Sequence, residues 1–155
     1  MMSFDGHATD TDEHASMSDL LKAVKLAFDG HSGQKDKQGE PYFSHCKRVA
    51  EAVTDEDERT VAYLHDLVEK APGWSLERLR EQGFSPLIVD AVDALTKRPG
   101  EDAERFVLRA ASNQIARPVK IADLKDNLAQ ARKMNSDTSR YEHGLRIIEK
   151  KFGRH

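Results

Sequence analysis

Apolar residues recur every three or four positions along most of the chain, which is the spacing of one face of an α-helix. Such stripes cover residues 20–31, 43–53, 54–71, 76–84, 86–95, 101–112, 117–133 and 141–152. No run of alternating apolar and polar residues is long enough to predict a useful β-strand. The pattern therefore predicts an all-α fold, a compact bundle of about seven to eight helices around a shared core.

Several helix starts can be placed from the residues that cap them. Ser18, Ser75 and Ser85 each stand directly before an apolar stripe, and Pro86 suits the first helical position. The stretch 54–71 begins with acidic residues, which suit the positive end of a helix. We expect it to form one continuous helix.

Composition and charge narrow the function classes. The chain has 155 residues, which suits one domain, and a net charge of −3. With a pI of about 6.2 and no helix carrying clustered base-reading residues, a nucleic-acid partner is not expected. No apolar run reaches the length of a membrane span, so no membrane partner is expected. The single cysteine, Cys46, permits no intramolecular disulfide and suggests a cytoplasmic protein.

The N-terminal residues differ in composition from the rest. Residues 1–16 are acidic, polar and small, which predicts a flexible tail. They contain neither the basic region nor the apolar region of a signal peptide. Residues 17–155 are then expected to form a single helical domain. Whether copies of the chain associate into a homo-oligomer is left open.

A His-Asp pair interrupts the apolar stripe of the third predicted helix. His65 falls on the apolar face with Val61 and Leu64, while Asp66 is turned about 100° away, toward Glu69. A buried imidazole is costly unless its nitrogens find partners. The pair is either half of a metal site or a core histidine beside a solvated aspartate.

Two further places carry residues of the same chemistry. Lys120, Asp123 and Asn127 form a polar stripe in which Asp123 is flanked by apolar residues, so its carboxylate needs a cation or strong donors. An ion pair with Lys120 is one solution and a metal is the other. His45 follows a Pro-Tyr turn. Together with His65 and Asp66, these residues would make a mixed nitrogen and oxygen shell suited to Mn²⁺, Fe²⁺ or Zn²⁺.

The segments "GEPYFSH", "AYLHDLVEK", "DALTK" and "VKIADLKDNL" occur in this order over residues 39–128. With these four segments in this order, the chain resembles the HD-domain metal-dependent phosphohydrolases. More narrowly, it resembles the hydrolase domain of RelA/SpoT-type alarmone enzymes and their small stand-alone relatives. The resemblance extends over about residues 20–130 and implies a compact HD-domain helical bundle.

The resemblance also implies an activity and a set of site residues. It implies hydrolysis of a phosphorylated nucleotide, with removal of the 3′-pyrophosphate from guanosine tetra- or pentaphosphate as the leading candidate. One divalent metal, usually Mn²⁺, would be held by His45, His65, Asp66 and Asp123. Glu69 matches the first acid of a catalytic pair, and Asn127 matches a residue near the bound nucleoside. His31 falls outside the implied metal shell, and we interpret it as a structural residue that bonds the neighbouring loop.

The chain departs from the family pattern at three places. Lys70 stands where the second catalytic acid is expected, and Asp36-Lys37 stands where an Arg-Lys pair contacts guanosine, leaving Lys37 as the matching cation. Cys46 replaces a proline. Lys70 could pair with Asp66 and weaken metal binding, contact a substrate phosphate, or remain a solvated surface residue. In none of these roles does a protonated lysine act as a general base.

Two hypotheses of different classes follow. The first is a metal-dependent phosphohydrolase in which Glu69 is the remaining acid. The second is a nucleotide-binding or regulatory module that keeps the fold but has lost turnover, as Lys70 and Asp36 suggest. Lys97 and Arg98 at a predicted helix end suit the helix dipole, with contact to a phosphate as the alternative.

Overall fold

Helices make up most of the protein. The computed structural model describes residues 18–154. Within them the helices are α1 Asp19–Gly30, α2 Tyr42–Glu51, α3 Glu56–Leu64, α4 Leu67–Lys70, α5 Leu76–Glu81, α6 Pro86–Ala94, α7 Ala103–Ser112, α8 Ala116–Lys133 and α9 Ser139–Phe152. The predicted all-α fold is confirmed. The expected tail, residues 1–16, lies outside the described residues.

The three predicted serine caps agree with the structure, whereas the helix predicted from residue 54 begins at Glu56. Ser18, Ser75 and Ser85 each accept a hydrogen bond from the backbone N–H three residues further on, at 3.0–3.3 Å. The cap of α3 is Asp55, whose carboxylate accepts from a backbone N–H of the first turn. These bonds satisfy amide groups that have no partner inside a helix.

The stretch 54–71 is not one continuous helix, because it breaks at His65 and Asp66 into α3 and α4. The His65 Nδ1–H donates to the backbone carbonyl of Ala62, 2.5 Å away. A continuing helix would use that carbonyl for the N–H of Asp66. Asp66 instead has φ −106° and ψ 2°, outside the helical region. At this break the side chains of both residues meet, with Asp66 Oδ2 3.1 Å from His65 Nε2.

Helix α8 lies at the centre of the bundle. It packs against α2, α3, α6, α7 and α9, so it buries residues on nearly every side. The larger apolar core joins α1 to α8, and a smaller one joins α7, α8 and α9. Polar residues buried on such a helix must find partners within the protein. Lys120, Asp123 and Gln130 are the buried polar residues of α8.

The end of α1 meets α4 at a close approach that requires a glycine. A Cβ on Gly30 would lie 2.5 Å from Cδ1 of Leu67. This approach packs the last residue of α1 against the first residue of α4. Within residues 18–154, none of the helices combines the length and the apolar character needed to cross a lipid bilayer.

Candidate metal centre and substrate cavity

The structure brings together the four residues that were predicted as metal ligands. His45 comes from the first turn of α2, His65 and Asp66 from the break after α3, and Asp123 from the middle of α8. One nitrogen or oxygen atom of each lies within 4.8 Å of the others. All four residues are less than a tenth exposed. We call them the four-residue cluster.

Three of the four nitrogen–oxygen distances within this cluster match those around a single metal ion, and the fourth is longer. Asp123 Oδ1 lies 3.0 Å from His45 Nε2 and 3.3 Å from His65 Nε2. Asp66 Oδ2 lies 3.1 Å from His65 Nε2 and 3.8 Å from His45 Nε2. Atoms bound about 2.1 Å from one metal at octahedral or tetrahedral angles are separated by roughly 3.0–3.5 Å. Two imidazoles and two carboxylates also form the donor set that Mn²⁺, Fe²⁺ and Zn²⁺ accept.

The outer nitrogens of both imidazoles are engaged by the protein. His65 Nδ1 bonds the Ala62 carbonyl, and His45 Nδ1 lies 2.7 Å from Oδ2 of Asp126. In each ring the Nε2 atom is therefore the one that faces the carboxylates of Asp66 and Asp123. This is the arrangement by which metal-binding histidines are oriented in proteins.

The charges of the cluster call for a cation. Burial lowers the pKa of His45 and of His65, but the adjoining carboxylates outweigh burial, so both pKa values are raised. Burial raises the pKa of Asp66, but the histidines outweigh it and the net direction is down. Burial likewise raises the pKa of Asp123, but the charge of Lys120 and the hydrogen bonds from the two histidines outweigh it, so the net direction is again down. The carboxylates thus stay ionised and attract either protons on the histidines or a metal.

The two oxygens of the Asp123 carboxylate have different partners. Lys120 Nζ lies 3.4 Å from Asp123 Oδ2, so the ion pair considered from the sequence is formed. The other oxygen, Oδ1, faces the two histidines and also accepts from Asn127 Nδ2 at 3.1 Å. One carboxylate therefore serves the ion pair and the cluster with different oxygens.

A cavity of about 310 Å³ opens onto the cluster. Its walls come from the loop before α2, from α4, α8 and the start of α9. A second cavity of about 330 Å³ continues from it and shares seven lining residues, among them Glu69 and Lys70. Although the chain is acidic overall, basic side chains collect here. They are Lys35, Lys37, Lys70, Lys97, Lys120 and Arg140.

Tyr42, which the sequence did not single out, connects the cluster to the cavity. Its hydroxyl donates a short hydrogen bond to Asp66 Oδ2. Burial and the charge of Asp66 raise the pKa of the Tyr42 hydroxyl, so it remains a donor. On the other side, Lys70 Nζ lies 5.4 Å from the centre of the Tyr42 ring.

Glu69 and Lys70 both line the cavity. Because the helix breaks before them, their positions relative to Asp66 differ from those expected on one continuous helix. Partial burial raises the pKa of Glu69, and the negative charge of Asp66 adds to this shift. The Asp66 carboxylate turns into the cluster at the helix break. In residues 18–154 no carboxylate lies within ion-pair distance of Lys70, so the Asp66–Lys70 pair considered above is not formed.

The loop between α1 and α2 brings two of the predicted substrate residues together. Lys37 Nζ donates to Asn127 Oδ1 at 2.5 Å, and both residues line the cavity. Asp36 has a different role. Its Oδ1 accepts from the backbone N–H groups of Gln38 and Glu40, both at 2.9 Å, and its side chain is 1% exposed. Asp36 therefore closes the turn.

His31 and Cys46 lie outside the cluster, as the sequence suggested for His31. The Nδ1 atom of His31 is 2.8 Å from Oε1 of Gln34, in the loop it was expected to bond. Gln34 in turn donates to the backbone carbonyl of Lys70, which ties the loop to α4. Burial raises the pKa of the Cys46 thiol to about 12, so this residue acts as a small core residue.

Comparison with known proteins identifies the family of this chain. The sequence profile of the HD domain family matches residues 23–137. The chain therefore belongs to the HD domain family. Domains of this family bind divalent metals, and the four-residue cluster offers the donors for one.

Several relatives carry names from the alarmone enzymes. GTP pyrophosphokinase rsh of Brucella ovis is 32% identical over 145 residues, which cover 84% of this chain and 18% of the relative. Guanosine-3′,5′-bis(diphosphate) 3′-pyrophosphohydrolase of Haemophilus influenzae is 34% identical over 76 residues, 46% of this chain and 11% of the relative. The chain thus spans less than a fifth of the length of these curated relatives.

One solved structure is similar to this chain over most of the length of both. It is described as a metazoan ortholog of SpoT that hydrolyzes ppGpp and plays a role in starvation responses. The two share 26% sequence identity with a TM-score of 0.67, over 86% of this chain and 83% of that one. The chain is therefore an HD-domain protein related to the hydrolase domain of the RSH and SpoT proteins.

Proposed function

We propose that this protein is a divalent-metal-dependent phosphohydrolase acting on a phosphorylated nucleotide. The leading candidate reaction is removal of the 3′-pyrophosphate from guanosine 3′,5′-bis(diphosphate). The observation that carries the proposal is the four-residue cluster at the inner end of a cavity lined with basic residues. The names of the relatives supply the candidate substrate.

His45, His65, Asp66 and Asp123 would hold the metal, with Mn²⁺ favoured. When bound, a divalent metal polarises a phosphoryl oxygen and acidifies water at neutral pH. Tyr42 donates to Asp66 and Asn127 donates to Asp123, so two of the ligands are held in place by side chains of the cavity wall. The site residues thus supply a rigid frame before substrate arrives.

The proposed reaction is a hydrolysis. Water adds to the phosphorus joined to the ribose 3′ oxygen, and the bond between that oxygen and phosphorus breaks. The 3′ oxygen takes up a proton, and pyrophosphate leaves. Negative charge develops on phosphoryl oxygens during this step, which the lysines that line the cavity would stabilise.

Glu69 is the residue we propose to accept the proton from water. It lines the cavity beside the cluster, and its raised pKa brings it closer to the operating pH, where a general base is more effective. Lys70 follows directly and, being a cation, cannot share this task. Lys37 and Asn127, which touch each other, would contact the nucleoside part of the substrate.

A second candidate function has specific support. Lys70 stands where the family resemblance implies an acid. Asp36 stands where it implies an arginine that contacts guanosine, and the Asp36 carboxylate instead accepts hydrogen bonds within the turn. Both changes favour a module that binds a phosphorylated nucleotide with little or no turnover. The four-residue cluster and the basic cavity would serve this function equally.

A product assay separates the two candidates. Purified protein is incubated with Mn²⁺ and a panel of nucleotides, including guanosine 3′,5′-bis(diphosphate), and the released phosphate or pyrophosphate is identified. The enzyme predicts release that stops on chelation of the metal and that is lost in Asp123→Asn. Glu101→Gln is a matched control, because Glu101 is an ion-paired carboxylate that lines neither cavity. Tight nucleotide binding without release would favour the binding module.

A further inference from the structure

We infer that Asp126 is a positioning residue that fixes the orientation of the metal ligand His45, and that Arg48 holds Asp126 in place. The inference rests on the proposed metal site. It concerns residues that lie behind the four-residue cluster and that neither the sequence patterns nor the relatives assign. Neither residue lines the two cavities, and the metal ligand that this pair contacts directly is His45.

Asp126 stands one turn after Asp123 on α8 and faces α2. Its Oδ2 lies 2.7 Å from His45 Nδ1. The carboxylate is completely engaged by neighbours, because Arg48 donates from Nε to Oδ1 at 2.7 Å and from Nη2 to Oδ2 at 3.1 Å. Gln130 Nε2 adds a fourth bond at 2.8 Å. Two-point binding by an arginine fixes the plane of a carboxylate as well as its position.

This arrangement determines which nitrogen of His45 is free for a metal. A carboxylate can only accept, so the atom facing it, Nδ1, carries the proton. The Nε2 atom of His45 points at Asp123 and Asp66. It is therefore the nitrogen that would lose its proton and bind a metal through its lone pair. Without Asp126 the imidazole could carry its proton on either nitrogen and rotate about its Cβ–Cγ bond. Partners of this kind are worth about 10–100-fold in metal affinity.

Arg48 also joins this pair to the loop that lines the cavity. Its Nη2 lies 3.5 Å from Oδ2 of Asp36, the residue that closes the turn before α2. A continuous chain of contacts therefore runs from Asp36 through Arg48 and Asp126 to His45. This gives Asp36 a role in the site that its departure from the family pattern did not suggest.

The test measures metal affinity, which does not depend on turnover. Mn²⁺ dissociation constants are determined by competition for wild type, Asp126→Asn, Arg48→Ala and the double variant, with folding of each checked by circular dichroism. We expect Asp126→Asn to bind Mn²⁺ about 10–100-fold more weakly. Its amide cannot accept from His45 and Arg48 with both of its ends, since one end is a donor. Glu101→Gln, which breaks a similar arginine–carboxylate pair elsewhere, should leave the affinity unchanged.

The double variant tests whether Arg48 works through Asp126. Arg48→Ala alone should weaken binding by less than Asp126→Asn, and adding it to Asp126→Asn should change affinity by less than about 2-fold. Fully additive effects would contradict the proposed order of contacts. Should Asp126→Asn not fold, Arg48→Lys, which keeps the charge but loses the two-point contact, should still weaken Mn²⁺ binding several-fold.

A second readout looks at the proton itself. In the Zn²⁺-loaded protein, the His45 Nδ1 proton should give a slowly exchanging, downfield NMR signal that disappears in Asp126→Asn. Wild-type affinity and an unchanged His45 signal in a folded Asp126→Asn would overturn the inference while leaving the metal site in place. A wild-type protein that binds no divalent metal would overturn both the inference and the proposed function.

Discussion

The four-residue cluster and the rim of the cavity lie side by side but are built in different ways. The cluster is buried, and its residues come from helices that pack directly on one another. The rim, which we define as Asp36, Lys37, Glu69 and Lys70, lies on a loop and on the four-residue helix α4. Three of the four rim residues are exposed to solvent.

This difference determines what a substitution would do in each region. A change in the cluster would leave buried charges without partners, which costs several kcal/mol. A change of Lys37, Glu69 or Lys70 alters the side chains that line the cavity. A change of Asp36 would also disturb the turn and the contact with Arg48. The two departures that bear on chemistry, Asp36 and Lys70, are both on the rim. From this difference we expect the cluster to determine whether a metal binds. We expect the rim to determine the rate of the reaction and the choice of substrate.

The largest effect should come from breaking the cluster. His65→Ala should bind Mn²⁺ more than about 100-fold more weakly, since losing a ligand costs more than losing a supporting residue. His31→Ala is the matched control, because His31 is also buried but lies outside the cluster. Metal content per chain after dialysis provides the measurement. If His65→Ala retains its metal or His31→Ala loses it, the assignment of ligands is wrong.

The next largest effect should come from restoring an acid on the rim. We expect Lys70→Asp to raise turnover by about 100-fold, the lower end of what general acid–base groups contribute. Lys70→Ala removes the cation without adding an acid and should give a much smaller gain. Single-turnover rates with Mn²⁺ and guanosine 3′,5′-bis(diphosphate) distinguish the two. Equal rates for all three proteins would show that Lys70 does not limit the chemistry.

Acid should weaken metal binding at the cluster. A metal needs neutral imidazoles, so protons compete with it, and the raised pKa values of His45 and His65 extend this competition above their ordinary value of 6.5. Mn²⁺ affinity should rise about 10-fold per pH unit for each proton displaced, until pH passes the raised pKa values.

The metal-free protein should show the opposite trend. Pairing of protonated histidines with carboxylates stabilises it fully below pH 6.5, and this contribution is lost as pH rises through the raised pKa values. The increase in melting temperature on adding Mn²⁺ should therefore grow from pH 5.5 to pH 8. A shift that is constant or shrinks with pH would argue against histidine ligands.

The smallest effect should come from a single contact on the rim. Lys37→Ala should raise KM by about 5-fold with little change in kcat, because an exposed charge contributes modestly and binds substrate and transition state alike. Lys25→Ala is the control, because Lys25 is also exposed but lines neither cavity. Steady-state kinetics checks both variants. A fall in kcat with constant KM would place Lys37 in the chemical step instead.

Much of this organisation could be predicted from the sequence, and the exceptions have a common cause. Helical periodicity gave the all-α fold, and local capping residues gave helix starts, because both depend on neighbours in the chain. The break at His65 was missed because it depends on a side chain that takes a backbone carbonyl from the helix.

The partners of the site were harder to foresee. Asp126 is 81 residues from His45, and Tyr42 is 24 residues from Asp66. Such pairs are created only by the packing of α2, α3 and α8. Two sequence signals were nonetheless available: Asp126 adjoins Asn127 in the quoted motif, and Tyr42 belongs to the Pro-Tyr turn.

One divalent metal should bind among the four buried donors of the cluster. Anomalous diffraction from a crystal grown with Mn²⁺ tests this directly. We expect one strong peak per chain, about 2.2 Å from His45 Nε2, His65 Nε2, Asp66 Oδ2 and Asp123 Oδ1. A peak at any other place, or no peak at saturating Mn²⁺, would contradict it.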